Sequence, residues 1–163
     1  MALPIHSKLI EVMKKQEVMW LPLAPKNLDM TNTEKIGNEF YQNLGKLFYA
    51  VAMADDNVRS VEIKRLRKYV RQHWLELDGF EDEFHTDAAY QIEIVFDWLE
   101  AEEKEVNDYF SEFEEFYKDH PEKFPEKVKK LILETAESIA SSFAGTNKSE
   151  MLAIFKLKSI FEH

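Results

Sequence analysis

The 163-residue chain contains no cysteine. Disulfide bridges, thiolate nucleophiles and cysteine-ligated zinc are therefore excluded. Glycine and proline are scarce, at four and five residues, too few for a turn-rich β-sandwich or a glycine-rich phosphate loop. No run approaches the roughly 18 apolar residues of a spanning helix. The opening MALPIHSKLIEVMKKQ lacks the basic segment followed by an apolar core that marks a signal peptide. These absences predict a cytoplasmic chain that does not span a membrane. There is no His-x-x-x-His pair, no G-x-S-x-G, no P-loop and no dinucleotide fingerprint, which argues against the common hydrolase and nucleotide-binding chemistries. Positive charge is the last deficit. Lysine and arginine number 21 against 31 acids, a net charge of −10, which disfavours a nucleic-acid partner because binding phosphates needs cationic side chains.

What is present points to helices. The chain is long enough for one domain with its own core. Phe40, Leu44, Leu47, Phe48, Val51 and Ala54 recur at helical spacing, as do Ile63, Leu66, Val70 and Trp74 after a candidate cap at Ser60. Thr86 reads as the cap of a long acidic helix carrying Ile92, Phe96, Leu99, Val106, Phe110, Phe113 and Tyr117, its stripe interrupted by Glu103. His120-Pro121 ends that helix and Pro125 opens another, with Val128, Leu131, Ile132, Thr135, Ile139 and Phe143 on one face. Gly145 marks a turn, and Asn147 caps a last helix with Glu150 at capping-box spacing. His73 falls on or beside an apolar face and reads as a core or boundary histidine. The expected fold class is all-α. Residues 1–30 form an N-terminal helix and a proline-containing arm around Trp20, Pro22 and Pro25, and residues 31–163 form a single helical domain.

Charge is unevenly placed. Seventeen acids and only two bases, Lys104 and Lys118, lie between Glu76 and His120. The segment Arg59–Arg71 is basic, with Arg59, Lys64, Arg65, Arg67, Lys68 and Arg71 against Glu62 alone. The basic helix is predicted to lie beside the acidic one, with Arg65, Arg67 or Arg71 near acids of residues 97–115. The acidic surface between Glu76 and Asp119 is a candidate dock for a basic protein segment or an exchangeable cation pool.

Two segments share a plan of an Ala-rich helix, a polar turn and a second helix. The spacing sets Asp55-Asp56-Asn57-Val58-Arg59-Ser60 opposite Ala144-Gly145-Thr146-Asn147-Lys148-Ser149. Two pseudo-repeated hairpins joined by the long acidic helix are the expected architecture.

The first turn carries the chemistry. Asp55, Asp56 and Glu62 supply hard oxygen donors suited to Ca²⁺, Mg²⁺ or Mn²⁺. The spacing matches the back half of an EF-hand loop, but Val51 and Met53 stand where its front half needs acids, so further ligands would have to come from elsewhere, such as Glu100, Glu102, Glu103 and Glu105. The alternative is structural, with Asp55 satisfying amides of the turn and Glu62 serving the amino end of its own helix.

Ala54-Asp55-Asp56-Asn57-Val58-Arg59-Ser60-Val61-Glu62 resembles the signature of the TerB-like (tellurite-resistance TerB) family, Ala-Asp-Gly-x-aliphatic-x-x-x-Glu between two helices, over about residues 40–75 and more weakly over 128–162. Asp56 replaces the usual glycine, and aspartate tolerates the left-handed conformation better than most residues. The resemblance implies an all-α bundle, a divalent cation held by clustered acids at Asp55, Asp56 and Glu62, and a non-enzymatic module that acts in stress response through a protein partner. Two other readings stay open: a metal-dependent enzyme using Asp55 and Glu62 as ligands, and a purely structural interaction protein without metal. Sequence leaves the partner and the oligomeric state unassigned.

Overall fold

In a computed structural model of the chain, residues 32–75, 85–102, 108–141 and 147–163 are described. The expected N-terminal helix, the Trp20 arm, Glu103, Glu105, Val106 and the turn residues 142–146 lie outside them. Residues Gly37–His163 form one compact unit, and of the other, Met1–Ile36, only the first turn of a helix is described.

Six α-helices and no strand occur among the described residues: α1 Asn32–Ala52, α2 Ser60–Tyr69, α3 His85–Ala101, α4 Tyr109–Asp119, α5 Glu126–Ala140 and α6 Lys148–Glu162. The all-α class read from periodicity is the observed one. The helices form where the apolar spacing places them because most of the predicted stripe residues are buried, while Ala54, Ile63, Phe110 and Tyr117 are half-buried. Leu44, Leu47, Phe48 and Val51 of α1 have no exposed surface, nor do Val70, Ile92, Phe96, Phe113, Ile132 and Ile139. Each such side chain contributes about 1.5–3 kcal/mol of burial. α2 packs on α5, α5 on α6, and α4 on α6. At one end of the bundle, Phe124 gathers the rings of Phe40, Phe113, Phe116, Tyr117 and Phe161 within 6.5 Å.

Gly45 sets the approach of α1 to α3. A Cβ at this position would lie 2.8 Å from Val95 Cβ and 2.9 Å from the Ile92 carbonyl oxygen, so only the absence of a side chain allows the contact. At the C-terminal end of α2 the backbone widens into a π turn over Val70–Trp74, closed by Leu75 N–H donating to the Val70 carbonyl at 3.1 Å. The turn packs on α3 and delivers Trp74 into the core. There its indole Nε1–H donates to Thr135 Oγ1 at 3.0 Å, and that hydroxyl donates in turn to the Leu131 carbonyl at 2.7 Å.

The expected long acidic helix is two helices. The first ends at Ala101, and α4 starts afresh after Asp108, whose backbone is non-helical at φ −71°, ψ 61°. Asp108 accepts from the Ser111 N–H at 3.3 Å and from the Ser111 hydroxyl at 2.7 Å. This local cap competes with helix continuation, and Glu100, Glu102, Glu103 and Glu105 add like-charge repulsion at helical spacing. Two smaller expectations are also corrected. Arg59, not Ser60, is the N-cap of α2, and α3 already includes His85 before the predicted cap Thr86. His73 is exposed and lies against the Tyr69 ring at 5.0 Å between centroids, because the π turn places Trp74, rather than its neighbour, inward.

The basic and acidic helices do meet. Arg67 forks onto both carboxylate oxygens of Asp97 at 3.0 and 3.2 Å, and Arg71 pairs with Glu93 at 3.5 Å.

Candidate functional site

The site is built where α1 ends. After a single 3₁₀ turn over Met53–Asp55 the chain reverses at Asp56, the one described non-glycine residue with positive φ, at 61°. Its N–H closes the turn on the Met53 carbonyl at 2.9 Å. Aspartate thus carries the left-handed residue of the turn, and its side chain is exposed on the rim. The reversal brings Arg59 back over Asp55, and α2 then starts.

Arg59 is the centre of the arrangement. Its Nη2 donates to Asp55 Oδ2 at 2.6 Å and its Nη1 to Glu62 Oε1 at 3.2 Å, while Glu150 Oε1 of the other hairpin lies 4.0 Å from Nη1. The Glu62 carboxylate also accepts from the Arg59 N–H at 2.8 Å. This is half of a capping box, since an arginine side chain has no acceptor to complete it. The second hairpin carries the full box. Asn147 Oδ1 accepts from the Glu150 N–H at 2.9 Å, and Glu150 Oε2 accepts from the Asn147 N–H at 2.7 Å. Asn147 Nδ2 then donates to Asp55 Oδ2 at 3.0 Å. The two caps set Arg59 opposite Asn147 and Glu62 opposite Glu150. That register is one residue away from the expected pairing of Arg59 with Lys148.

Burial makes the cluster unusual. The side chains of Glu62 and Glu150 are 1% and 3% exposed, where isolated carboxylates are costly to ionise. Burial pushes the Glu62 carboxyl up from its ordinary value, against the hydrogen bonds and charge of Arg59, and the charge of Asp55 adds to the rise. The hydrogen bond and charge of Asp55, with smaller contributions from Glu62, raise Arg59 in turn. One oxygen, Asp55 Oδ1, is buried with no hydrogen-bond partner.

Two of the three predicted ligands, Asp55 and Glu62, therefore converge, and what they converge on is a guanidinium. Asp56 points outward from them. Glu100 and Glu102 are exposed, and among the described residues no group of three or more histidine, aspartate or glutamate side chains is placed to hold a metal ion. The donor chemistry suits a hard cation, but Arg59 fills the space between the donors. Sequence reasoning missed Arg59 and Asn147 as members of the site. The signal was the cap spacing itself, Arg59-x-x-Glu62 against Asn147-x-x-Glu150.

A second surface lies on α6. Met151, Leu152 and Phe155 are 62%, 59% and 69% exposed, the large apolar side chains most open to solvent among the described residues. Beside them runs a groove of about 790 Å³ between α5 and α6, lined by Tyr69, Ala140, Ser141, Met151, Ile154 and Phe155 together with the polar Glu134, Glu137, Ser138 and Lys158, and Lys158 pairs there with Glu137 at 2.8 Å. Among the described residues no helix is long and apolar enough to cross a membrane.

No family model, curated protein or solved structure matches this chain.

Proposed function

We propose that the chain is a non-enzymatic TerB-like module that works in the cytoplasm by engaging a protein partner, in a stress response of the tellurite type. The observation that carries this reading is the exposed apolar set Met151, Leu152 and Phe155 beside a groove. Large apolar side chains clustered in solvent are the signature of a contact surface. The carboxylates that chemistry would need are committed elsewhere, as Asp55, Glu62 and Glu150 hold Arg59 and two helix starts. The test is complementation. A host strain deleted for the chain should be more sensitive to tellurite and recover with the wild type. It should not recover with a Leu152→Glu/Phe155→Glu variant that melts as the wild type does. Equal growth of all three strains overturns the reading.

The unpartnered Asp55 Oδ1 favours a second reading, in which Asp55, Asp56 and Glu62 take up a divalent cation once Arg59 is displaced. Calorimetric titration with Ca²⁺, Mg²⁺ and Mn²⁺ tests it on the wild type and on Arg59→Met. Tighter uptake by the variant supports it, because the competing guanidinium is gone and the carboxylates repel one another without a counterion. No heat in either protein removes it.

A further inference from the structure

We propose that the partner seated on α6 is a second copy of this chain, in an antiparallel two-fold pairing of α6 with α6. The inference rests on the reading of that face as a protein contact surface and names its occupant.

The argument begins with the spacing on the outer side of the helix. The inner face is spent on the core, with Ala153, Ile154, Leu157 and Ile160 buried. On the outer side Lys148, Leu152, Phe155, Ser159 and Glu162 recur at intervals of four, three, four and three, the spacing of a two-helix seam, with Leu152 and Phe155 as its two apolar positions at the centre. A helix facing only water has no use for Leu152 and Phe155 on such a seam. The ends of the seam carry opposite charges. Lys148 opens the helix and Glu162 closes it, both are exposed, and neither is held in an ion pair among the described residues.

That distribution selects an antiparallel copy. With the two-fold axis passing between Leu152 and Phe155, Leu152 of one copy lies on the partner's Phe155, and Ser159 leaves room beside the partner's Lys148. Lys148 then comes within one turn of the partner's Glu162, about 5 Å along the axis, and the symmetry makes the same pairing twice. A parallel pairing would instead set Lys148 on Lys148 and Glu162 on Glu162. The same patch serves both copies, so the contact of Leu152 with Phe155 is made twice, as an isologous interface requires.

Sedimentation velocity and light scattering of the full chain over roughly 5–500 μM test the pairing. The wild type should pass from monomer to dimer in that range, and Phe155→Asp should remain monomeric. Lys148→Glu and Glu162→Lys should each weaken the dimer several-fold, and the double variant should restore it. Both single changes suit the helix macrodipole, so neither threatens the fold. A wild type that stays monomeric, a dimer untouched by Phe155→Asp, or a double variant no better than the singles overturns the inference. If the chain is monomeric while the Leu152→Glu/Phe155→Glu variant still fails in complementation, the face takes a different protein. The dimer is then lost and the proposed function stands. If the variant also complements, both are lost.

Discussion

Asn147 donates its side-chain amide to Oδ2 of Asp55 at 3.0 Å across 92 residues of sequence. The same oxygen receives the Arg59 guanidinium at 2.6 Å, so one carboxylate oxygen fastens the turn of the first hairpin to the helix start of the second. The helix start is itself fixed by the reciprocal bonds of Asn147 and Glu150. Asn147 thus serves two purposes with the two ends of one amide, its oxygen for the cap and its nitrogen for the link.

That division can be separated by substitution. At an ordinary N-cap aspartate is as good as asparagine, and alanine costs about 1 kcal/mol. Here Asn147→Asp keeps the acceptor but loses the donor and sets a carboxylate against Asp55. Urea unfolding should show Asn147→Asp at least as destabilised as Asn147→Ala. An Asn147→Asp variant as stable as the wild type would mean that the link contributes nothing.

The Trp74–Thr135 hydrogen bond is wholly buried. Thr135→Val preserves shape but leaves the indole N–H without an acceptor, and should cost about 1–3 kcal/mol. Thr135→Ser keeps the hydroxyl and should cost less, about the value of one buried methyl group, near 0.8 kcal/mol. Chemical denaturation of the two variants side by side checks the order.

Gly45→Ala sets two effects against each other. Alanine gains up to about 1 kcal/mol in helix propensity. The added Cβ would meet Val95 Cβ at 2.8 Å and a backbone carbonyl at 2.9 Å, and overpacking of this kind costs about 1–3 kcal/mol. The carbonyl belongs to a packed helix and cannot turn aside, so the variant should be less stable in thermal and urea unfolding.

Glu93 gives a pH dependence of known sign. Burial pushes its carboxyl above the ordinary value, and Asp97 adds to the rise, while Arg71 and Arg67 oppose it. In the interval between the unfolded value, about 4.3, and the raised folded one, the native state holds more protons than the unfolded chain. Stability from this group therefore falls as pH rises through that interval. Glu93→Gln removes the titration, so the unfolding free energy of the wild type should decline relative to the variant from about pH 4.3 upward. A difference that stays flat or rises over that range would contradict the assignment.

The helices were legible in the sequence because burial at a period of 3.6 writes itself into the order of Phe, Leu, Ile and Val. The Asn147–Glu150 box was legible because both halves of a cap lie within four residues. What was not legible depended on contacts between distant segments or on small backbone choices. Arg59 reads as one of six bases in a basic run, and although Asp55 and Glu62 lie within four residues of it, nothing local says that Asn147 and Glu150 complete the cluster from the other hairpin. The break at Asp108 depends on one aspartate preferring Ser111 to the continuing helix. The one-residue slip in the repeat arose because the polar turns are alike in composition, whereas the caps that fix the register are alike only in geometry.

The π turn at Val70–Trp74 makes the length of this helix end a switch for one aromatic side chain. A π turn holds one residue more than the α turn it replaces. Deleting a residue within it would let α geometry run through and turn the side chain at its end by about 100° around the axis. The indole would then leave Thr135, whose hydroxyl in α5 now accepts its N–H at 3.0 Å. A change of one residue in chain length at the end of α2 is thereby felt as the loss of a buried donor inside α5.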